Sequence, residues 1–257
     1  MVEMAKVNPN WFVDIKTVDD TNVVSPEQIE ELRRQGRPEE IIQQEYYCSF
    51  EGSIHGAYYG DMMKKAVKDG RICNVPVDDN ALVNTAWDLG MNDATAIWFY
   101  QIIGREIHLI DYYEASGEGL SHYAAELEKR GYNYGKHYAP HDIRVRELGS
   151  GKSRLETAEK LGIRFEIAPQ LSVLDGIGAV RGLLSKCWFD QTKCKLGING
   201  LKQYRKDWDD KNQRFKDKPL HDWSSNCADA FRYLCITYKE QKSRSGRNMV
   251  LKTGFKL

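Results

Sequence analysis

The sequence predicts an α/β fold, a central mixed sheet flanked by helices, on three observations. Three apolar runs rich in β-branched and aromatic residues follow one another from Leu82: "LVNTAWDLG", "ATAIWFYQIIG" and "REIHLIDYYEA", separated by "MNDA" and "GR". Spacers that short join antiparallel strands, whereas parallel neighbours need a long crossover. Beyond them helical and extended stretches alternate, the pattern of parallel strands with helices laid on the sheet. The third observation is compositional: 257 residues, 41% hydrophobic and 29% charged, suffice for one good core and a small appendage.

Taken in order, "WFVDIKTVDDT" reads as a strand ending in a turn, and "SPEQIEELRRQGRPEEIIQQEYYCSF" as two short helices. Ser25 caps the first helix, Pro26 takes its first turn and Gly36 stops it. "GSIHGAYYGDMMKKAVKDG" adds a short helix after the glycines around Tyr58 and Tyr59. Residues 1–75 are therefore expected to form an N-terminal extension or linker, 76–240 the main domain, and 241–257 a basic, mobile tail without acidic residues. Within the main domain the three strands are followed by a helix, "SHYAAELEKRG", with Ser121 as cap and Gly131 as stop. "YNYGKHYAPHD" is a fourth strand ending at Pro140, "SRLETAEKLG" a helix, "RFEIAP" a fifth strand, and "DGIGAVRGLLSKCWF" a helix running into another extended piece. The basic, aromatic stretch near 187–220 holds a hairpin with its tip at "DDKNQ". "HDWSSNCADAFRYLCITYKEQ" closes the domain as a helix in which Cys227, Phe231, Leu234 and Tyr238 recur at helical spacing. This β-β-β-α-β-α-β-α order is the ribonuclease-H-like arrangement.

Lys plus Arg and Asp plus Glu number 37 each, so no global positive field announces a nucleic-acid binder and any such surface must be local. The six cysteines form neither a C-x-x-C pair nor a metal-finger spacing, and read as buried free thiols of a reducing compartment. No apolar run approaches the ~18 residues of a membrane span. The N-terminus, "MVEMAKVNPNW", has no signal-peptide core. A cytoplasmic protein is expected.

"GSGKS" at 149–153 resembles a nucleotide-binding loop, but the glycine that should open the wrap is replaced by Arg146. The segment before it is not a buried strand. Ser153 as N-cap with Glu156 three residues on makes a capping box. A third reading keeps the loop as a phosphate contact on DNA, through Lys152, Arg154 and the helix N-terminus, with Arg144 and Arg146 beside it. Lys206 and Arg214, in the basic stretch with Tyr204, Trp208 and Phe215, offer a second contact with the backbone.

Three aspartates stand out by position. Asp88 lies in the middle of the first apolar strand, Asp142 closes the fourth, and Asp229 sits on the last helix. A carboxylate in an apolar strand is costly unless it is paired or binds a cation. In the predicted order the first and fourth strands are neighbours, so Asp88 and Asp142 can converge, and a helix crossing that edge can add Asp229. Three oxygen donors without a His or Cys shell suit Mg²⁺ or Mn²⁺. Two such ions ~3.5–4 Å apart clamp a phosphodiester between attacking water and leaving 3′ oxygen. Each aspartate also has a plainer explanation: Asp88 an ion pair with a nearby Arg or Lys, Asp142 a strand-end turn or a pair with Arg144, Asp229 a pair with Arg232 or Tyr233. Asp222, two helical turns before Asp229, either shares its face or caps the helix.

"AWDLGMNDATAIWFYQ", "APHD" followed by a loop and "RLETAEKLGI", and "PLHDWSSNCADAFRYL" together resemble the nuclease domain of tailed-phage terminase large subunits, the motors that package DNA. The resemblance covers roughly residues 82–240, and H-D-W-S-S-x-x-A-D-A-F-R-Y is its most specific part. It implies a ribonuclease-H-like fold and metal-dependent endonucleolytic cutting of concatemeric double-stranded DNA. It gives the ligand role for two Mg²⁺ or Mn²⁺ ions to Asp88, Asp142 and Asp229, with the part of Asp222 left open. Its implied partners are double-stranded DNA and, in the full motor, a terminase small subunit and portal protein. Oligomers belong to that motor, in the cytoplasm of a bacterial host. Full-length members begin with an ATPase domain bearing a complete Walker motif; none is present here. The chain is thus expected to be a C-terminal portion or a short form without ATP turnover. The competing readings are a junction nuclease or transposase-like enzyme on the same fold, and a non-catalytic docking module using the N-terminal helices and the tail.

Overall fold

The structure, a computed structural model, describes residues 12, 14–37, 39–48, 56–90, 94–146, 151–209, 212 and 214–238. Gly149 and Ser150 of the glycine loop, the turn at Asp93, most of the "DDKNQ" tip and the tail at 241–257 lie outside them.

Seven strands form one mixed sheet: β1 (Ile72–Cys73), β2 (Val83–Asp88), β3 (Ala94–Ile103), β4 (Glu106–Ser116), β5 (Tyr134–Ala139), β6 (Phe165–Ile167) and β7 (Cys187–Asp190), in lateral order β1-β7-β4-β3-β2-β5-β6. β2, β3 and β4 pair antiparallel, as their short connections require. β5 lies parallel to β2, β6 parallel to β5, β7 parallel to β4 and β1 parallel to β7. The fold is ribonuclease-H-like. β8 (Lys206–Asp209) and β9 (Arg214–Pro219) form a separate antiparallel hairpin, where the sequence places one.

At the N-terminal end α1 (Val18–Thr21), α2 (Pro26–Arg34) and α3 (Glu39–Tyr46) are short. The strand expected over "WFVDIKTVDDT" is absent from its described residues: 14–17 have no regular structure and 18–21 are helical, because the Thr17 hydroxyl and backbone share the Asp20 carboxylate in a capping box. Ser25, Pro26 and Gly36 act on α2 as expected, the Ser25 hydroxyl accepting from the Gln28 N–H and Gly36 taking φ +83°.

α4 (Gly60–Lys68), α7 (Val173–Leu183), α8 (Lys195–Gln203) and α9 (Trp223–Thr237) cover one face of the sheet, where Tyr59, Met63, Ile177, Val180, Ile198, Leu201, Phe231 and Leu234 pack on Ala86, Ala96, Trp98, Tyr100, Ile107 and Leu109. α5 (Leu120–Arg130) and α6 (Arg154–Lys160) cover the other, with Tyr123, Leu127 and Ala158 against Trp87, Ile97, Phe99 and Ile110. Two corrections follow. Residues 57–73, which the sequence places on the far side of a boundary at 75, supply α4 and the edge strand β1 to this same core. α5 is capped by Gly119 rather than Ser121, which lies inside it, while Gly131 ends it at φ +63°.

α8 has two glycines three residues apart because the helix lies almost against its neighbours. A Cβ on Gly197 would stand 2.4 Å from the Trp98 ring, and one on Gly200 2.1 Å from the Cys227 sulfur. Trp98 in turn donates its Nε1–H to the Cys227 carbonyl at 2.9 Å, pinning α9 onto β3. Cys187, Cys194, Cys227 and Cys235 are buried free thiols, and Cys48 and Cys73 are free and half-buried. Among the described residues no helix is long and apolar enough to cross a membrane.

Candidate active site

Asp88 is the last residue of β2, half-buried, and pairs in register with Ala96 of β3. It shares the α9 side of the sheet with Ala86, two residues before it. Asp142 lies beyond the end of β5, not in it: Pro140 ends the ladder and residues 141–144 form a single turn of 3₁₀ helix. Its side chain is 53% exposed and its partner is Arg154, at 3.9 Å, rather than Arg144. Asp229, in the second turn of α9, pairs with Arg232 one turn on, at 2.9 Å. Burial pushes the Asp229 carboxyl up despite Arg232 and His221, which pull it down.

One group reports on all three. Tyr233, next to Arg232 on α9, has its hydroxyl pushed up first by burial and then by the charges of Asp88, Asp229 and Asp142. The three carboxylates come from the end of β2, the turn after its neighbour β5, and α9, which packs across β2. Asp222 is engaged otherwise. One oxygen caps α9, accepting from the Ser224 N–H at 2.9 Å and hydroxyl at 2.6 Å, and the other pairs with Arg205 at 3.2 Å. Among the described residues no three His, Cys, Asp or Glu side chains stand close enough together to hold a metal ion.

The basic residues divide. Arg144, Arg146, Lys152 and Arg214 are exposed and Lys206 is half-buried. Arg154, expected to meet a DNA phosphate, turns inward instead. Its side chain is 14% exposed, it donates to the Leu89 carbonyl at 2.9 Å, and it faces Asp142. It ties the end of β2 to the turn after β5. Nor is the N-terminus of α6 an open anion cradle. The Ser153 hydroxyl accepts from the Glu156 N–H at 3.2 Å and the Glu156 carboxylate accepts from the Ser153 N–H at 3.2 Å, so the capping box occupies two of its donors.

Sequence reasoning missed two residues here, and named Tyr233 only as a partner of Asp229. Arg205, which holds Asp222, gave no signal beyond its charge. Glu114 of β4 lies in the same electrostatic neighbourhood: burial first, then Glu114, Asp229, Asp222 and Asp88 raise the Cys227 thiol.

No family model matches the sequence, and no curated protein matches it. Solved structures do. The large terminase of a thermophilic bacteriophage superposes with a TM-score of 0.54 at 19% identity, over 85% of this chain and 54% of that one. The same protein in complex with ATP-γ-S gives 0.54 at 21% identity, over 85% and 54%. A weaker likeness, TM-score 0.49 at 18% identity, is to the P22 large terminase nuclease domain, over 65% of this chain and 87% of that one. The chain spans about half the length of the thermophilic-phage protein it matches. Strand order and superposition together establish that this chain has the ribonuclease-H-like fold found in a phage large terminase.

Proposed function

We propose that the chain is a metal-dependent endonuclease acting on double-stranded DNA, the nuclease part of a phage packaging motor. The observation that carries the reading is the placement of the three aspartates: Asp88 at the end of β2, Asp142 in the turn after neighbouring β5, and Asp229 on α9, which packs across β2. The sequence resemblance supports it independently, through the residues that bear these aspartates. The donor set fits a hard dication: it is all oxygen, and burial of Asp229 is not fully compensated by Arg232, which leaves room for more positive charge. Ion binding requires the carboxylates to close in from where they stand. Bound there, Mg²⁺ or Mn²⁺, two ions in this reading, would activate water and stabilise charge on the leaving 3′ oxygen.

The chain's own residues do the rest. Arg154 holds the Asp142 turn to the end of β2, and Arg232 holds Asp229. Arg144, Arg146 and Lys152, exposed beside Asp142, and Lys206 and Arg214 on the β8–β9 hairpin, meet the DNA backbone. Contacts of that kind position a duplex without reading it, so cutting should show little sequence preference. In this reading the residues before about 57 are an ATPase-side extension of the domain, whose core takes in 57–73. Small subunit, portal and oligomer belong to the whole motor in the host cytoplasm. No ATP turnover is expected of the chain.

Plasmid nicking with EDTA, Mg²⁺ and Mn²⁺, on wild type and Asp88→Asn, tests the proposal. Nicking by wild type alone, with either ion and not with EDTA, is expected. Wild type that leaves DNA intact with both ions overturns it and favours the docking module. Preference for a branched substrate over plasmid favours the junction nuclease.

A further inference from the structure

β4 carries a bulge. Tyr100 pairs with Leu109 but Phe99 with Asp111, so Ile110 is the extra residue. A one-residue slip sends every side chain beyond it to the opposite face. Tyr112 and Glu114 are thereby turned to the α9 side, with Ile107 and Leu109, while Ile110 and Tyr113 pack beneath α5. Glu114 pairs with Ala96, and Ala96 on its other side pairs with Asp88. Asp88, Ala96 and Glu114 thus form one row across the sheet, two carboxylates flanking a methyl group. The Tyr112 hydroxyl donates to the half-buried Glu114 carboxylate.

We propose that Glu114 is the general base of the reaction: held by Tyr112 in the row of Asp88, it takes the proton from the water that attacks the scissile phosphate. This rests on the nuclease reading above. In that reading Asp88, Asp142 and Asp229 are committed to ions, and Asp222 is committed to its cap and to Arg205, which leaves Glu114 as the remaining carboxylate of the group among the described residues. In the step, the water oxygen bonds to phosphorus and the P–O3′ bond breaks with its electron pair on O3′. One water proton passes to a Glu114 oxygen and thence to solvent, and O3′ takes a proton from solvent. One water is consumed and nothing is oxidised or reduced. The groups beside Glu114 are Tyr112 from its own strand and Cys227 from α9, with Asp88 of β2 in its row beyond Ala96. Burial raises the Glu114 carboxyl while the Tyr112 hydroxyl lowers it, giving a stronger base than an exposed glutamate.

The test compares Glu114→Gln with the full wild-type chain by single-turnover plasmid cutting from acid to alkaline pH, with DNA affinity and melting temperature measured alongside. Near neutrality E114Q should cut about 10²–10⁴-fold more slowly, the usual worth of a positioned base. The deficit should narrow as pH rises, because hydroxide replaces the base, while DNA affinity stays unchanged and the melting temperature does not fall. Tyr112→Phe is the second variant. Removing the donor raises the Glu114 carboxyl further, so the acid limb of the rate profile should move to higher pH. Cutting by E114Q equal to wild type overturns the proposal. So does a deficit constant across pH, or an acid limb that Tyr112→Phe leaves in place. Wild type that does not cut at all sinks the nuclease reading itself, a result distinct from failure of E114Q alone.

Discussion

The two faces of β2 bury polar groups in opposite ways. Under α5 and α6, Thr85 and His137 of neighbouring β5 meet at 2.7 Å, and the Trp87 Nε1–H donates to Thr85 Oγ1 at 2.6 Å. Burial holds the His137 imidazole down at about 4, so this cluster is neutral and its partners are matched. Across the same strands, on the α9 side, Asp88, Glu114 and Asp229 gather with Arg232 as the paired cation of Asp229. A matched neutral network specifies a core, whereas like charges brought together cost stability and are kept for chemistry. The difference separates the part of the sheet that folds the protein from the part proposed to act.

The largest effect should come from the acidic side. Asp88→Asn should lower cutting by about 10³-fold or more, ~4 kcal/mol of barrier, yet leave the melting temperature close to that of the wild type, because the amide keeps the shape of the carboxylate. Loss of activity accompanied by an equal loss of folded protein would place Asp88 with the structural groups instead.

Acid should then drive the two faces in opposite directions. His137 has a folded value near 4, below its ordinary 6.5, so the unfolded chain takes the proton first. Its contribution is complete above pH 6.5 and is lost as pH falls towards 4, at most about 3 kcal/mol. Glu114 and Asp229 have raised folded values, so their ionisation costs stability at higher pH and acid relieves it. Denaturant unfolding at a series of pH values should show His137→Gln flattening the acid loss and Glu114→Gln steepening it. The same slope in all three proteins would erase the distinction.

Next in size is the packing that brings α9 to the site. Gly200→Ala puts a methyl 2.1 Å from the Cys227 sulfur and should cost about 1–3 kcal/mol, because α8 and α9 must part. Thermal melting measures it; Gly178→Ala, where nothing lies within 4 Å of the added Cβ, is the control.

Much of this was legible in the sequence, for identifiable reasons. β2, β3 and β4 are largely apolar runs with short spacers, and Asp88 is conspicuous as the one charged residue of its strand. β2 and β5 became neighbours because a helix separates them. α8 was not foreseen, since Gly197 and Gly200 weaken a helix locally and reveal their purpose only against Trp98 and Cys227. Glu114 was hidden for a sharper reason. Regular alternation from Ile107 and Leu109 continues to Asp111 and Tyr113, so reading along β4 sends Glu114 to the wrong face, and no residue type announces the bulge at Ile110. The fate of Asp222 and Arg154 depended on partners remote in the chain, Arg205 and Leu89, which no local pattern supplies.

The smallest effect separates two residues that the sequence treats alike. Lys152 and Arg154 flank Ser153 and both read as phosphate contacts, but Lys152 is exposed while Arg154 is turned in on Leu89 and Asp142. A lysine that meets a phosphate releases about one counterion, so Lys152→Ala should lower the slope of log affinity against log salt by about one and leave melting untouched. Arg154→Ala should leave that slope alone and cost about 1–2 kcal/mol of stability, from a lost charge-assisted hydrogen bond to a carbonyl. It should also slow cutting by loosening the Asp142 turn. DNA titrations at several salt concentrations, with melting curves for both variants, decide the matter. If Arg154→Ala alters the slope as much as Lys152→Ala does, its inward contacts yield to DNA, and this corner of the acidic edge is part of the duplex-binding surface rather than its scaffold.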